Sequence, residues 1–532
     1  MKLHLVKRGE SAYIADLDRY QLMPVDRLTA SLLELKNSHT DGEIIDMLSS
    51  EYSGEDILSA LNRLKKLSER EEKLPSRKEG RPRILIPEKG TYHADISLHA
   101  GGGVIAYHHL IKSMSKRADI FIASDRNHKI DEGIYGVDFD LNRVTSKLSL
   151  IEEDYDGILI RSPDDLELLT IFRWSDSPVV IPIYAMRGHG GEMINNVLLW
   201  YSAMRPFDAF VVPTTSVKEF YSRFVLDTDC FYRIPCGVDL EHFKPMDKEM
   251  VKREVVGMIG DERVLERPVV GFLSRFQPEK GAGTYIRLAR LIPDAIFLVV
   301  VPMLNVYALC DLPDNLIYAG RQSRDKLPIF LNAFDILCSA SVVGEETFGL
   351  AVLEAMACGT PVVVPNFDGF PEVVGDGGVI VEAQTFEDEI GSIAGYVDPE
   401  ALKAAIIPLL EDRSARLNLG LKARKRAENF SWDKVGDEMV NLFLRLKEKR
   451  LSTDKSDFDI CFVERWNTYR GEIEPLSLLI NVTEINERPL MLDLYPQTML
   501  EGLALSLFRK HSLHEVEAVS AYFLKKEEVI KC

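Results

Sequence analysis

Glu354 occupies a position where a carboxylate is costly unless it has a partner. It lies in the apolar run LAVLEAMAC (350–358), which is typical of a buried helix, and no residue three or four positions away carries a positive charge. Either the side chain reaches solvent or a distant arginine, or it faces a pocket where two ligand hydroxyls satisfy its oxygens. We favour the pocket, because an acidic pair, Glu345 and Glu346, lies just before the helix.

The pattern around Glu354 predicts a loop, a helix, a turn and a strand. The helix is expected to start at Phe348 with Thr347 as its cap, and Gly359 stands where a helix end favours a left-handed residue. Pro361 prevents continuation of the helix, and the β-branched run 362–364 is typical of a buried parallel strand. Glu346 is therefore expected in a loop and Glu354 in the helix that follows it.

Two cations form a second candidate cluster. The run VVGFL (269–273) predicts a strand, and the loop SRFQPEKG after it carries Arg275 and Lys280 ahead of a helix that starts near Gly283. Two cations on a strand-to-helix loop can neutralise a departing diphosphate where no metal is bound. The alternative is a solvent-exposed pair without a ligand.

A glycine run opens the first predicted helix of an α/β region. Gly101, Gly102 and Gly103 precede the helix 104–113, so that backbone amides can approach a phosphate or a sugar closely; a flexible loop is the equal alternative. Short apolar strands, separated by helix-length segments, predict a parallel sheet. These strands are 83–87, 120–123, 157–161, 179–183 and 209–212, and the runs 296–301 and 336–339 continue a second sheet after 269–273.

The spacing of the two acidic residues resembles a known signature. Glu346, seven intervening residues and Glu354, with Phe348-Gly349-Leu350 between them and AMACGTPVV after, resemble the donor site of retaining GT-B glycosyltransferases. The family is glycosyltransferase family 4, also described as glycosyl transferases group 1. This resemblance implies an α/β fold of GT-B type, in which two Rossmann-like domains face a cleft.

The resemblance also implies roles for individual residues. Glu354 would hold the nucleotide ribose, Glu346 would contact the donor sugar, and backbone amides at Phe348, Gly349 and Leu350 would meet the diphosphate. Arg275 and Lys280 match the family's diphosphate-holding pair, and Arg321 follows the strand whose end grips the base. Gly102 and Gly103 are expected on the substrate side of the cleft. The donor would be a nucleotide-diphosphate sugar, with neither a cofactor nor a metal.

Two features of the N-terminal half bear on the chemistry. RIPCGVDLEHFKP (233–245) resembles the family's interdomain hinge, except that Cys236 stands where an asparagine is usual. Many relatives place a histidine near the reacting sugar, where this chain has Tyr184. His189 is the candidate replacement and is expected to act in catalysis, although a single histidine in a loop is more often incidental.

The first 75 residues are predicted to form a separate unit. Strands over 3–7, 12–16 and 20–25 are followed by helices over 26–36, 41–52 and 55–74, the second of them opened by Thr40. This winged-helix-like plan resembles the PqqD-like domain, on whose sheet edge a precursor peptide adds a strand. A docking or dimerisation domain is the equal alternative.

Composition limits the partners. With 64 Lys and Arg against 83 Asp and Glu, the net charge of −19 argues against a nucleic-acid partner. No apolar run is long enough to span a bilayer, and the seven cysteines are scattered without a C-x-x-C pair, which favours a cytoplasmic protein with reduced thiols.

The sequence thus predicts a retaining glycosyltransferase with four parts. They are the recognition domain (1–75), the acceptor-side domain (76–240), the donor domain with its crossover helix (241–447) and an α+β accessory segment (452–532). Three classes of acceptor fit the sequence: a docked precursor peptide, a saccharide and a lipid. An inactive GT-B binding or scaffold protein, and an isomerase or phosphorylase on the same fold, remain as alternatives of other classes.

Overall fold

A computed structural model gives the fold of this chain. It describes residues 4–8, 11–16, 21–25, 27–35, 39–54, 56–61, 80–88, 102–124, 142–144, 155–163, 177–184, 196–197, 200–201, 204–223, 225, 228–277, 280–300, 312–342, 346–387 and 393–453. Several predicted features lie outside these residues, namely the end of the helix predicted over 55–74, Gly101, His189, Glu345 and the accessory segment beyond residue 453.

The N-terminal unit is a three-stranded antiparallel sheet followed by helices. Its elements are β1 (His4–Arg8), β2 (Ser11–Asp16), β3 (Gln21–Val25), α1 (Arg27–Leu35) and α2 (Asp41–Leu48). The strands pair in the order β1-β2-β3, so β1 and β3 are the edges of the described sheet. Thr40 caps α2 through a capping box with Glu43, as Thr40 was expected to do. The predicted strands-then-helices plan is confirmed over the described residues.

A parallel seven-stranded sheet forms the first large half. Its strands are β4 (Arg83–Glu88), β5 (Asp119–Ser124), β6 (Asn142–Val144), β7 (Gly157–Leu159), β8 (Val179–Pro182), β9 (Ala209–Val212) and β10 (Phe231–Arg233). They lie in the order β10-β9-β8-β7-β4-β5-β6. The helices α3 (Gly102–Met114) and α4 (Thr215–Ser222) belong to this half. The core strands are almost fully buried, as expected for a sheet covered on both faces.

A parallel six-stranded sheet forms the second half. Its strands are β11 (Val269–Leu273), β12 (Ile296–Val300), β13 (Leu316–Gly320), β14 (Ile336–Cys338), β15 (Val362–Pro365) and β16 (Gly378–Val381), in the order β13-β12-β11-β14-β15-β16. Its helices are α5 (Lys248–Ile259), α6 (Arg263–Glu266), α7 (Ala282–Leu291), α8 (Leu327–Ala333), α9 (Leu350–Ala357), α10 (Phe370–Val374), α11 (Pro399–Glu411) and α12 (Arg413–Ala427). An antiparallel pair, β17 (Ala383–Glu387) and β18 (Ile393–Val397), follows β16.

A long final helix, α13 (Trp432–Ser452), returns from the second half and packs against α3 and β7 of the first. Glycines allow the close approach, because a Cβ on Gly157 would lie 2.0 Å from the Phe443 ring and one on Gly436 would lie 2.1 Å from Ser113 Oγ. Lys447 Nζ bonds Asp156 Oδ1 at 2.6 Å beside these contacts. The two halves are therefore joined by a packed helix as well as by the chain connection.

The chain connection between the halves is tied to the start of α13. Val238 pairs with Ser431 in a parallel bridge, and the Val238 amide donates to the Phe430 carbonyl at 2.7 Å. His109 of α3 stacks on the Trp432 ring, with 5.5 Å between ring centroids. We call residues 236–243 the joining segment.

None of the helices in the described part of the chain is both long enough and apolar enough to cross a lipid bilayer.

The side chain of His109 is expected to make the free energy of unfolding sensitive to acid. Burial, with the nearby Arg324 charge, lowers the pKa of His109 to about 3, and its Nε2 has no hydrogen-bond partner among the described residues. Because the unfolded chain binds this proton near the ordinary histidine pKa, about 6.5, the neutral ring stabilises the fold above that pH. This contribution is lost progressively as the pH falls from about 6.5 towards 3.

The measurement is urea unfolding between pH 4.5 and 7. His109→Gln should flatten the pH dependence of the free energy of unfolding by up to about 1.4 kcal/mol per pH unit below pH 6. His39→Gln, which changes an exposed histidine, is the matched control and should leave that dependence as it is. Parallel curves for the wild type and His109→Gln would show that His109 is not the acid-sensitive group.

Candidate active site

Both predicted clusters lie at the carboxyl ends of strands of the second sheet, which we call the carboxyl edge of that sheet. In this sheet the chain starts at β11, runs outward through β12 and β13, and then returns to β14 on the other side of β11. Loops leaving β11 and β14 therefore flank the point where the strand order reverses, which is where open α/β sheets bind ligands. We call the described residues within 274–281 the basic loop and the described residues within 339–349 the acidic loop. Ser274, Ser339, Glu346 and Gly349 line one small cavity between them.

An ion pair joins the two loops. Lys280 Nζ lies 2.8 Å from Glu346 Oε2, with the side chains only 10% and 20% exposed. The alternative interpretation of the two cations was a solvent-exposed pair. Arg275 is exposed, as that alternative expected, whereas Lys280 is buried. Because an ammonium has three donors, the bond to Glu346 leaves two for another anion at the same place.

Helix α9 starts later than its sequence indicated. It begins at Leu350, and Gly349 before it has the left-handed φ of +89°. A Cβ at Gly349 would also meet the Phe370 ring at 2.7 Å, so the position requires glycine. The predicted Thr347 cap on a helix from Phe348 is wrong. The hydroxyl of Thr347 donates instead to the Tyr184 carbonyl at 2.8 Å, a bond across the cleft that the local sequence does not reveal.

Glu354 lies in α9 with 7% of its side chain exposed and bonds to a distant arginine. Arg324 Nη2 is 2.7 Å from Glu354 Oε1, thirty residues away in sequence. Among the residues that the structure describes, none donates a hydrogen bond to the other oxygen, Oε2. The arginine partner, one of the alternatives, is therefore present, and one carboxylate oxygen remains for a ligand. Arg324 is the site residue that sequence reasoning missed, since no local spacing links it to Glu354.

Two more polar groups at this edge have atoms without partners. Arg321, directly after β13, has a buried Nε, and Gln277 in the basic loop has a buried Oε1, and neither atom has a hydrogen-bond partner among the described residues. A buried donor or acceptor left unpaired costs about 1–3 kcal/mol. A bound ligand that supplies the missing hydrogen-bond partner would remove this cost.

The first half contributes its own carboxyl edge to the same place. Gly102 and Gly103 open α3, and a Cβ at Gly102 would lie 3.6 Å from Leu350 Cδ1, while one at Gly103 would lie 4.0 Å from Tyr184 Cβ. The glycine turn, the loop after β8 and the start of α9 are thus neighbours. Burial raises the pKa of the Tyr184 phenol well above its usual range, so this side chain is neutral at physiological pH.

Further contacts hold the halves together beside the acidic loop. Thr214 Oγ1 donates to the Thr347 carbonyl at 3.0 Å, and Ser216 Oγ donates to Asp368 Oδ1 at 2.9 Å. Arg233 bonds Glu372 at 2.5 Å. The acidic loop is therefore fixed from both halves, which sets the position of Glu346 relative to the glycine turn.

The site residues predicted from the sequence differ in where they lie. The structure brings together Lys280, Glu346, Gly349, Leu350, Gly102 and Gly103, and places Glu354 and Arg321 on neighbouring elements of the same edge. Phe348 is buried against the Phe430 ring, so only its backbone can meet a ligand. Over the described ranges, no group of three or more His, Cys, Asp or Glu residues is arranged as metal ligands would be.

The arrangement fits an anionic ligand with hydroxyls. It combines a buried lysine, the amides at the start of a helix, and carboxylates that can accept from hydroxyl groups. Residues 261–426 match the model of the family described as glycosyl transferases group 1.

This segment is therefore similar to a glycosyl transferases group 1 domain.

Curated relatives match over part of their length. The D-inositol 3-phosphate glycosyltransferase of Salinispora tropica is 28% identical over 273 residues, which cover 46% of this chain and 52% of the relative. The protein of the same name from Mycolicibacterium vanbaalenii is 31% identical over 195 residues, covering 32% and 42%. The chain thus spans about half the length of the curated relatives it matches.

Solved structures share the fold of this chain. Anabaena Alr3699/HepE in complex with UDP and glucose has 18% identity and a TM-score of 0.51, over 67% of this chain and 98% of that one. Sucrose-phosphate synthase (tll1590) from Thermosynechococcus elongatus has 18% identity and a TM-score of 0.52, over 69% and 100%. At these identities the likeness concerns the fold alone. The fold is GT-B, as the resemblance implied.

The packing of the acidic loop predicts that adding one methyl group at Gly369 lowers the free energy of unfolding. Gly369 has a φ of −76°, which alanine adopts freely, yet a Cβ there would lie 2.2 Å from the Thr347 carbonyl oxygen. Gly369→Ala should therefore displace the acidic loop and lower the free energy of unfolding by about 1–3 kcal/mol. The same substitution at Gly283, where nothing lies within 4 Å, should be neutral or stabilising by up to about 1 kcal/mol.

Urea unfolding of the two variants beside the wild type checks this prediction. Equal stability of Gly369→Ala and Gly283→Ala would show that the acidic loop is not held as tightly as the contacts indicate.

Proposed function

We propose that this chain is a retaining glycosyltransferase that moves a sugar from a nucleotide-diphosphate sugar to an acceptor. The observation that carries the proposal is the Lys280–Glu346 pair at the point where the strand order reverses, beside the start of the helix that holds Glu354. The segment 261–426, which matches the group 1 family, contains all of these residues, and UDP is bound in a solved structure with the same fold.

The diphosphate is proposed to lie between the basic loop and the start of α9. Lys280 keeps two ammonium donors beyond the one that Glu346 accepts, and Arg275 stands five residues before it on the same loop. The amides of residues 348–350 add the positive end of a helix. Glu346 then has one oxygen on Lys280 and is placed to accept from a hydroxyl of the sugar.

The nucleoside is proposed to lie along the loops after β13 and β14. Glu354 Oε2 accepts from a ribose hydroxyl while Oε1 stays on Arg324. The unpartnered Arg321 Nε and Gln277 Oε1 supply a donor and an acceptor for the rest of the nucleotide.

The proposed reaction is a same-face substitution. The acceptor oxygen bonds to the anomeric carbon as the bond from that carbon to the diphosphate oxygen breaks, and the acceptor proton passes to the departing diphosphate. The protein then supplies alignment and charge stabilisation, so no protein base has to be assigned. No role is assigned to Tyr184, whose phenol is neutral, and His189 stays a predicted catalytic residue.

The acceptor is proposed to be a peptide held by the N-terminal unit. The described sheet ends in two strands, β1 and β3, and an edge strand offers unpaired backbone groups to an extended segment. A docking or oligomerisation role for this unit remains the alternative. The curated relatives favour a second acceptor class, a small phosphorylated polyol, because their names specify D-inositol 3-phosphate. The cytosol remains the expected compartment.

Lys280→Ala tests the proposed chemistry. Because negative charge on the departing diphosphate grows towards the transition state, kcat should fall by about 10² or more, and KM for the donor should change less. Lys422→Ala, at an exposed lysine of α12, is the control. Release of nucleoside diphosphate gives both constants, and an unchanged kcat with a raised KM would show that Lys280 holds only the ground state.

Removal of the N-terminal unit tests the acceptor. A protein that starts at Arg81 should keep donor binding and slow donor hydrolysis, and should lose transfer to a full-length peptide at low concentration. High peptide concentrations should restore part of the activity, since docking raises only the local concentration. Equal transfer by both forms at low peptide concentration would refute peptide docking, and absence of donor hydrolysis in both would favour an inactive scaffold.

A further inference from the structure

The strongest feature outside the assigned roles is the partner of Glu354. A carboxylate with 7% exposure among apolar neighbours needs a counter-charge, and removing one member of such a buried pair is strongly destabilising. Arg324 supplies this charge from a short 3-10 turn, residues 324–326, between β13 and α8. Its side chain is 17% exposed, so water screens the pair only in part.

Two residues of the joining segment contact Arg324. Its guanidinium carbon lies 5.3 Å from the centre of the Phe243 ring, a cation–π distance, and His242 Nε2 lies 3.1 Å from the Arg324 carbonyl oxygen. The side chain and the backbone of Arg324 thus both contact neighbouring residues of the segment that joins the halves. The guanidinium, which contacts both the Phe243 ring and Glu354, therefore has few alternative rotamers.

The bond from Arg324 leaves most of the acceptor capacity of the Glu354 carboxylate unused. One nitrogen of Arg324 bonds one oxygen of Glu354, at 2.7 Å. The two oxygens of a carboxylate accept about four hydrogen bonds in total, so the pair leaves room for ribose hydroxyls on Oε2 and on the remaining lone pair of Oε1. A single fixed N–H therefore orients the carboxylate without filling it.

We propose that Arg324 is the positioning residue of the nucleotide ribose site, and that it links this site to the joining segment through Phe243 and His242. The inference rests on the proposed function, because it assigns the ribose to Glu354. Arg324 acts through Glu354 and does not touch the nucleotide. A movement of the joining segment shifts Arg324 and with it the direction of the Glu354 carboxylate.

The test is a double-mutant cycle on nucleotide affinity. UDP, GDP and ADP are titrated into the full-length wild type by calorimetry, and the one that binds most tightly is used for Arg324→Ala, Glu354→Gln and the double variant. Each single variant should weaken binding about tenfold, through loss or misdirection of a charge-assisted bond. The double variant should be no weaker than either single one, because both changes remove the same contact.

Two further variants and two further measurements separate positioning from a folding defect. Arg324→Lys keeps the charge and should restore part of the affinity. Lys326→Ala removes a charge from the same turn at an exposed residue and should bind as the wild type does. Thermal unfolding shows that each variant is folded, and the double variant leaves no unpaired buried charge. In donor hydrolysis, Arg324→Ala should raise KM and leave kcat near the wild-type value.

The contrary outcomes are distinct. Arg324→Ala with wild-type affinity, while Glu354→Gln binds weakly, would overturn the positioning role and leave the proposed function standing. A double variant about a hundredfold weaker would show that Arg324 contacts the nucleotide itself. If the wild type binds none of the three nucleotides, or if Glu354→Gln binds as tightly as the wild type, the proposed ribose site fails, and this inference fails with it.

Discussion

The structure at this site depends on two carboxylates that are removed from most of the water. Glu346 and Glu354 have side chains that are 20% and 7% exposed, and burying a carboxylate is costly unless a cation pairs with it. Lys280 and Arg324 fulfil this need from two different loops. The Lys280–Glu346 pair therefore joins the basic loop to the acidic loop, and the Arg324–Glu354 pair joins the turn at 324–326 to α9. The same groups that are proposed to bind the donor thus hold these segments together.

The position of this edge relative to the first half follows from close backbone packing. Gly157 and Gly436 allow α13 to lie directly on the first sheet and α3, and Val238 bridges to Ser431 at the start of α13. The acidic loop adds a polar contact, since Thr347 bonds to Tyr184 of the opposite half. Interiors packed this tightly have few intermediate arrangements. Any opening of the cleft must consequently break the Thr347 and Thr214 bonds or pivot about the joining segment.

Much of the fold could be predicted because local patterns and tertiary structure agree there. The β-branched and apolar runs 269–273 and 362–364 became buried strands, and Gly359 takes the left-handed conformation that its place after a helix indicated. The Thr347 cap failed because a hydroxyl used by the opposite half is not available to the helix. Arg324 was unpredictable for a related reason. Its partner is thirty residues away, and its position depends on the joining segment, which no period in the sequence encodes.

The balance of charge at the site explains why a chain with a net charge of −19 can hold an anion. Arg275, Lys280, Arg321 and Arg324 stand against Glu346 and Glu354, so the cations named at this edge exceed the carboxylates by two. A nucleotide-diphosphate sugar carries about two negative charges on its diphosphate, which this excess matches. The acidic remainder of the surface repels such a donor, while a cleft lined by the opposite sign focuses the field and draws it in. Both carboxylates are thus compatible with an anionic ligand, because each is already neutralised by a cation of its own.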